Sequence, residues 1–331
     1  MLPLTALELH LPILLATDGC SHIEDLQDWL YPVIRLLPPQ DGDRSPFSIF
    51  KFKSHCAVEP EAAQGAASPT NVQVDHPARR PAIAVLNQAQ AMDAGCLAIA
   101  FRDPSGTSEL SNIAVAIARQ AIRPVLIMRQ RDNGDHAPSW KHVLLVVNAA
   151  EGTRQAIAIT QQLIPAGIEA ITILYIQPPL NTHYLFGPFA TPTPSWQLNQ
   201  SLHQAQREQA EAIVHQAQAA FQASPVTLHT LIQTGEPGPA ICQVAQQQQV
   251  DLVVMSNSPI PRFIPADSSP AFQPSPVMPT SDYLVRHAPC PVMLCHTAQP
   301  MLFGKAFHLP KAKLRIPRLP GVKPRVKSPS L

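Results

Sequence analysis

RQAIRPVLIM at residues 119–128 is answered by RHAPCPVMLC at residues 286–295, with Arg, Ala, Pro and Val at matching places. Self-similarity at fixed landmarks constrains a chain more than any single motif, because the same unit has to fold twice. Two further landmarks fall in the same order. Leu11 to Gly19 (LPILLATDG) matches His142 to Ala150 (HVLLVVNAA), an apolar run that ends in a short polar turn before a helical pattern. Pro81-Ala82-Ile83 opens a helical stretch leading to CLAIAF (Cys96 to Phe101), and Pro239-Ala240-Ile241 opens one leading to DLVVM (Asp251 to Met255).

Apolar runs of four to six residues that alternate with helical stretches predict an α/β fold with a mostly parallel sheet, since strands buried on both faces lose their polar alternation. The repeat divides the chain into two such units, 1–130 and 140–297. The second is complete: a helix over Gly152 to Ile164, a strand AITILYI (Ala170 to Ile176), a long Ala/Gln helix from Leu202 to Phe221, and a strand at Val226 to Ile232. Along that helix Leu202, Ala205, Ile213, Ala217 and Phe221 keep to one side at helical spacing, the pattern of core packing. The first unit is eroded. Between its second strand (Phe47 to Lys53) and its third (Val72 to Val74) the residues around EAAQGAASPT are too few and too weakly patterned for a full crossover helix.

An apolar fraction of 45% suffices for real cores, and with 5% aromatics those cores are built from Ala, Val, Ile and Leu. The net charge of +1 conceals an asymmetry: residues 305–331 hold eight Lys or Arg and no acid, which leaves the remainder at −7. Six cysteines lie scattered without a CxxC pair or zinc spacing, so reduced thiols and no metal are expected. The apolar N-terminus lacks a basic n-region and is interrupted by Glu8 and His10, and no apolar run is long enough to span a bilayer. A cytoplasmic protein is the expectation.

YLVRHAPCPVMLC (Tyr283 to Cys295), HVLLVVNAAEGTRQAIAIT at the start of unit two, GEPGPAICQVA (Gly235 to Ala245) and DLVVM together resemble the universal stress protein (UspA-like) family, in a tandem arrangement. In unit one the resemblance rests on ILLATDG (Ile13 to Gly19) and on Ala82 to Met128, and the tail 298–331 matches nothing. The resemblance implies two Rossmann-like units of the adenine nucleotide alpha hydrolase-like kind, each with a five-stranded sheet. It also implies that the units pair within one chain along their last strands, and short edge strands such as PVLIM and PVMLC need such covering.

ATP-binding members of the family carry a Gly-x-x-Gly after strand four and a Gly-Ser at the start of the next helix. Glycines let the backbone turn its N–H groups toward phosphates, and the helix dipole assists. Here the first pair falls on Ser256 and Pro259 and the second on Met278 and Pro279, and between Ser256 and Ser281 there are seven prolines and no glycine. Proline has no N–H to donate, so triphosphate binding is expected to be lost in unit two. In unit one the first pair falls on Phe101 and Pro104. What survives is Ser105-Gly106, a donor-bearing turn or a plain β-turn, together with Asp18-Gly19 at the end of strand one, where the family uses an acid to contact the nucleoside. Asp18 could serve adenine or ribose, or cap the following helix. Asp18, Gly19, Ser105 and Gly106 therefore form the candidate site for weak ATP or AMP binding, and unit two has Asn148-Ala149 in place of the acid.

No convergent catalytic set stands out. His287 and Cys290 are near in sequence but lack a third orienting group, so a non-enzyme is expected, with weak ATP hydrolysis as the alternative. The tail alternates basic residues with Pro and isolated aliphatics, which suits a solvated segment or a tether for anionic lipid, nucleic acid or an acidic partner. The Pro-rich stretches Pro178 to Pro194 and Pro259 to Pro279 are insertions or partner-binding loops. The reading is a non-catalytic stress-response regulator that acts through protein partners without a required cofactor. A nucleotide sensor with one weak site in unit one is the alternative.

Overall fold

A computed structural model describes residues 9, 12–17, 30, 47–51, 72–74, 81–102, 109–130, 140–149, 152–177, 196–257 and 279–296. The strands are β1 (Ile13–Thr17), β2 (Phe47–Lys51), β3 (Val72–Val74), β4 (Cys96–Arg102), β5 (Val125–Gln130), β6 (His142–Val147), β7 (Ala170–Gln177), β8 (Thr227–Thr234), β9 (Leu252–Ser256) and β10 (Val292–Cys295). The helices are α1 (Pro81–Ala91), α2 (Glu109–Gln120), α3 (Gly152–Leu163), α4 (Trp196–Ala219), α5 (Pro237–Gln247) and α6 (Thr280–His287).

The two expected five-stranded sheets are one continuous sheet. Its order is β3-β2-β1-β4-β5-β10-β9-β6-β7-β8, so each half repeats the order 3-2-1-4-5 and the two meet at β5 and β10. All neighbours run parallel except that pair, which is antiparallel with Ile127 opposite Val292, Leu126 opposite Met293 and Val125 opposite Leu294. Met1–Ala298 accordingly form one compact unit, and Gln299–Leu331, a separate unit, lie outside the described residues.

Side chains alternate between two cores, one on each face of the sheet. On one face Leu14, Ile99, Ile127, Val253 and Leu294 meet α1, α2, α5 and α6. On the other Ile13, Leu15, Leu126, Val254 and Met293 meet α3 and α4. Both cores run across the junction of the halves, and this double burial is what makes the strands read as unbroken apolar runs. Gly238 shows how closely the helices pack. A Cβ there would lie 2.7 Å from the Tyr283 ring, so α5 and α6 approach as they do only because this residue lacks a side chain.

Polar contacts lock the junction. Helices α2 and α6 lie against each other in opposite directions, and Arg119 near the end of α2 grips both carboxylate oxygens of Asp282 in the first turn of α6, with Nε to Oδ1 at 3.1 Å. That hydrogen bond to Asp282 is the main cause holding the Arg119 guanidinium above its ordinary pKa. At the opposite end Arg286 Nη2 donates to Asn112 Oδ1 at 2.7 Å, and Arg129 donates to the carbonyls of Arg286 and Ala288, closing the end of α6. The carbonyl of Ala118 at the end of α2 receives Asn257 Nδ2 at 2.6 Å and faces His296 Nε2 at 2.8 Å.

Arg119→Ala strands the Asp282 carboxylate, whose side chain is 5% exposed against 57% for Arg119. Because solvent screens the arginine side of the pair, the expected loss is about 1–2 kcal/mol, read from urea denaturation. Burial is the first cause that lowers the pKa of His296 from its ordinary 6.5, partly offset by the carbonyls of Ala118, Leu294 and Arg123. The folded ring therefore takes its proton at lower pH than the unfolded one. Stability is fully present above that ordinary value and declines as pH falls through it toward the folded value. His287 acts in the same direction, through burial and then the charges of Arg129 and Arg286. Thermal melts from roughly pH 8 to pH 5 should show this decline, and His296→Gln should flatten it.

Candidate functional site

In an open α/β sheet, ligands are held beyond the carboxyl ends of the strands where the strand order reverses. This sheet has two such points, between β1 and β4 and between β6 and β9. In the first half Thr17, fully buried, ends β1 level with Ala100 of β4. In the sequence Asp18 and Gly19 follow Thr17 directly, and Ser105-Gly106 come three residues after Arg102, the last of β4. All four lie outside the described residues.

In the second half the crevice is bounded by Asn148, which follows β6, and by Ser256 and Asn257 at the end of β9. Val146 is level with Met255. Asn148 stands where the family resemblance implies an acid, and its groups are engaged locally. Thr153 Oγ1, in the first turn of α3, lies 2.8 Å from both Asn148 Oδ1 and Asn148 O and receives Asn148 N–H at 3.0 Å. The hydroxyl thus closes the turn between strand and helix, and with one proton to give it satisfies one of those oxygens at a time.

Ser256 is 1% exposed. The amide of Asn257 is turned toward α2 of the other half, where it meets Ala118 O, and it lies 2.8 Å from His296 Nε2. Neither residue presents the row of backbone donors that a glycine loop would offer.

The start of α6, the element that would face phosphate, begins on a proline. Pro279 stands at the N-cap, contributes no N–H and makes no side-chain cap, while its carbonyl receives Tyr283 N–H at 3.0 Å. Asp282 places a buried carboxylate in the first turn, where a helix dipole favours a negative charge. That carboxylate is turned to Arg119 of α2. Sequence reasoning identified the prolines and missed Asp282 with its partner Arg119. The acid in a first turn was visible, but nothing in its spacing named a cation 163 residues away.

The other groups singled out from the sequence do not converge. The His287 ring packs on Tyr283 with centroids 4.5 Å apart. Cys96 and Cys295 are buried free thiols. Burial pushes Cys96 up to about 12 and raises Cys295 as well, which leaves both as inert packing groups. Among the described residues no group of three His, Cys, Asp or Glu could hold a metal ion, and no helix is long and apolar enough to cross a membrane.

The family model described as "Universal stress protein family" matches residues 139–296. In structure the chain is similar to a universal stress protein from Archaeoglobus fulgidus DSM 4304, at 14% identity and a TM-score of 0.54, with 88% of this chain and 99% of that chain covered. It is also similar to a functionally unknown protein from Pseudomonas aeruginosa PAO1, at 13% identity and a TM-score of 0.52, with 87% and 93% covered. At such identities the likeness speaks to fold alone. No curated protein matches its sequence. Residues 139–296, a little under half of the chain, are thus the part that matches the universal stress protein family.

Proposed function

We propose that this chain is a non-catalytic, cytoplasmic regulator of the stress response that acts through protein partners and has lost tight ATP binding in its second half. The observation that carries the reading is the start of α6, where Pro279 removes a donor and the first turn already holds a carboxylate, Asp282, committed to Arg119. The loop leading to it, with seven prolines and no glycine before Ser281, adds chemical support. Asn148 in place of an acid removes the charged contact to a nucleoside.

Under this reading the margins of the second crevice are free to meet a protein, and the Pro-rich stretches that follow β7 and β9 are its first points of contact. The basic segment 305–331 is a tether for an acidic partner, an anionic lipid surface or nucleic acid. A second reading draws on Asp18-Gly19 and Ser105-Gly106, which retain the means for a weak adenine-nucleotide site in the first half.

Calorimetric titration with ATP, ADP and AMP in the presence of magnesium, on the full chain and on Asp18→Ala, separates the two. The expected result is no binding tighter than about 1 mM for either protein. Micromolar binding that Asp18→Ala abolishes would replace the partner-binding reading with a nucleotide sensor.

A further inference from the structure

The sheet ends on one side in β3, three residues long, and on the other in β8, eight residues long. Long open edges invite pairing with another chain, and proteins usually blunt them with Lys, Pro, bulges or covering elements. TLHTLIQT contains no proline and no Asp, Glu, Lys or Arg. It pairs without interruption with β7 over all eight residues, so no bulge turns it away.

The hydrogen-bond phase of this edge is fixed. Thr227 N–H donates to Glu169 O at 2.9 Å and Gly235 N–H to Gln177 O at 3.1 Å. In a parallel ladder a residue that bonds to its neighbour turns both backbone groups the same way. The odd-numbered residues of β8 therefore face β7, and Leu228, Thr230, Ile232 and Thr234 turn their N–H and C=O groups to the side on which no described strand lies.

We propose that β8 is a dimerisation edge, at which a second copy of this chain adds its own β8 antiparallel across a two-fold axis through Leu231. In an antiparallel pair the outward-facing residues must lie opposite one another as hydrogen-bonded pairs. An axis at Leu231 sets Leu228 against the partner copy's Thr234 and Thr230 against its Ile232, and every outward group of all four residues is used. Moving the axis to Thr230 or Ile232 leaves an outward residue to pair beyond the strand. The same register puts Leu231 against its own copy, opposes no like charges, and sets β-branched Thr230 against β-branched Ile232.

Leu228, Leu231 and Ile232 are half-buried, so a second sheet edge would complete their burial. A second copy is the occupant that this edge matches, because it brings an equal set of open groups in the complementary phase. Strand pairing alone falls short of the roughly 800 Å² that a standard interface buries per partner. Helix α4 packs over β7 and β8, and its exposed side chains would have to supply the rest of the contact. The inference is independent of what the crevices bind.

Sedimentation of the full chain should show a dimer. Thr230→Pro removes an N–H that faces outward and spares the ladder to β7, so it should weaken the dimer at least about tenfold while the thermal melt stays near that of the parent. Thr230→Lys is the second variant, with the same expected outcome. Leu231→Cys should cross-link to itself under mild oxidation, since directly opposed non-hydrogen-bonded residues sit about 4.5 Å apart at Cα. Gln233→Cys, which this register sets against His229, should not. A parent protein that is monomeric at roughly 100 µM overturns the proposal. So does a dimer that survives both Thr230 variants, or one in which Leu231→Cys fails to cross-link.

Discussion

Three residue pairs between β5 and β10 decide the architecture. Each half alone would end in a short apolar strand whose outer backbone groups have no partner and whose faces are covered on one flank only. Joined antiparallel, the two last strands become the centre of a ten-stranded sheet, and both apolar layers continue through them. Hydrogen bonding alone at three pairs contributes little net free energy. The helices above the seam, α2 and α6, pack because the strands beneath them do, and their ends are held by Arg119, Arg129 and Arg286 reaching across.

That seam also explains what became of the second crevice. Asp282, Asn257 and His296 all stand at the carboxyl ends of the second half's strands or at the start of the helix beside them, and all are engaged with α2 of the first half. Polar groups that could face a ligand serve instead to join the halves. A buried carboxylate with its arginine cannot be released to meet a phosphate without leaving one of the two charges uncompensated.

The sheet was legible because parallel strands buried on both sides write themselves as runs such as CLAIAF and DLVVM, and these lie in β4 and β9. Boundaries were less so. The long helix begins at Trp196, six residues before the expected Leu202, because its first turns, WQLNQS, lack the apolar periodicity that marks a buried face. Helix α5 begins at Pro237, since a proline is accepted in the first turn where its missing N–H would have had no partner. The loss of glycines around the second crevice was plain from composition. The contacts across the seam were not, because pairing between antiparallel helices depends on how two halves are turned about a common axis. The proposed nucleotide residues Asp18, Gly19, Ser105 and Gly106 lie outside the described residues, and the sequence alone speaks for them.

In the repeat, Arg119 corresponds to Arg286, so Asp282 corresponds to Val115 and Asn112 to Pro279. Two separate copies of one unit could not differ in this way, since any residue introduced on one side of their shared axis would appear on the other. A single covalent chain is released from that restriction. One end of the seam has acquired a buried acid and a cation, while the other joins an arginine to a neutral amide. Within a single chain the two ends of one seam can thus hold chemically different contacts, a charged pair at one and a cation with a neutral amide at the other.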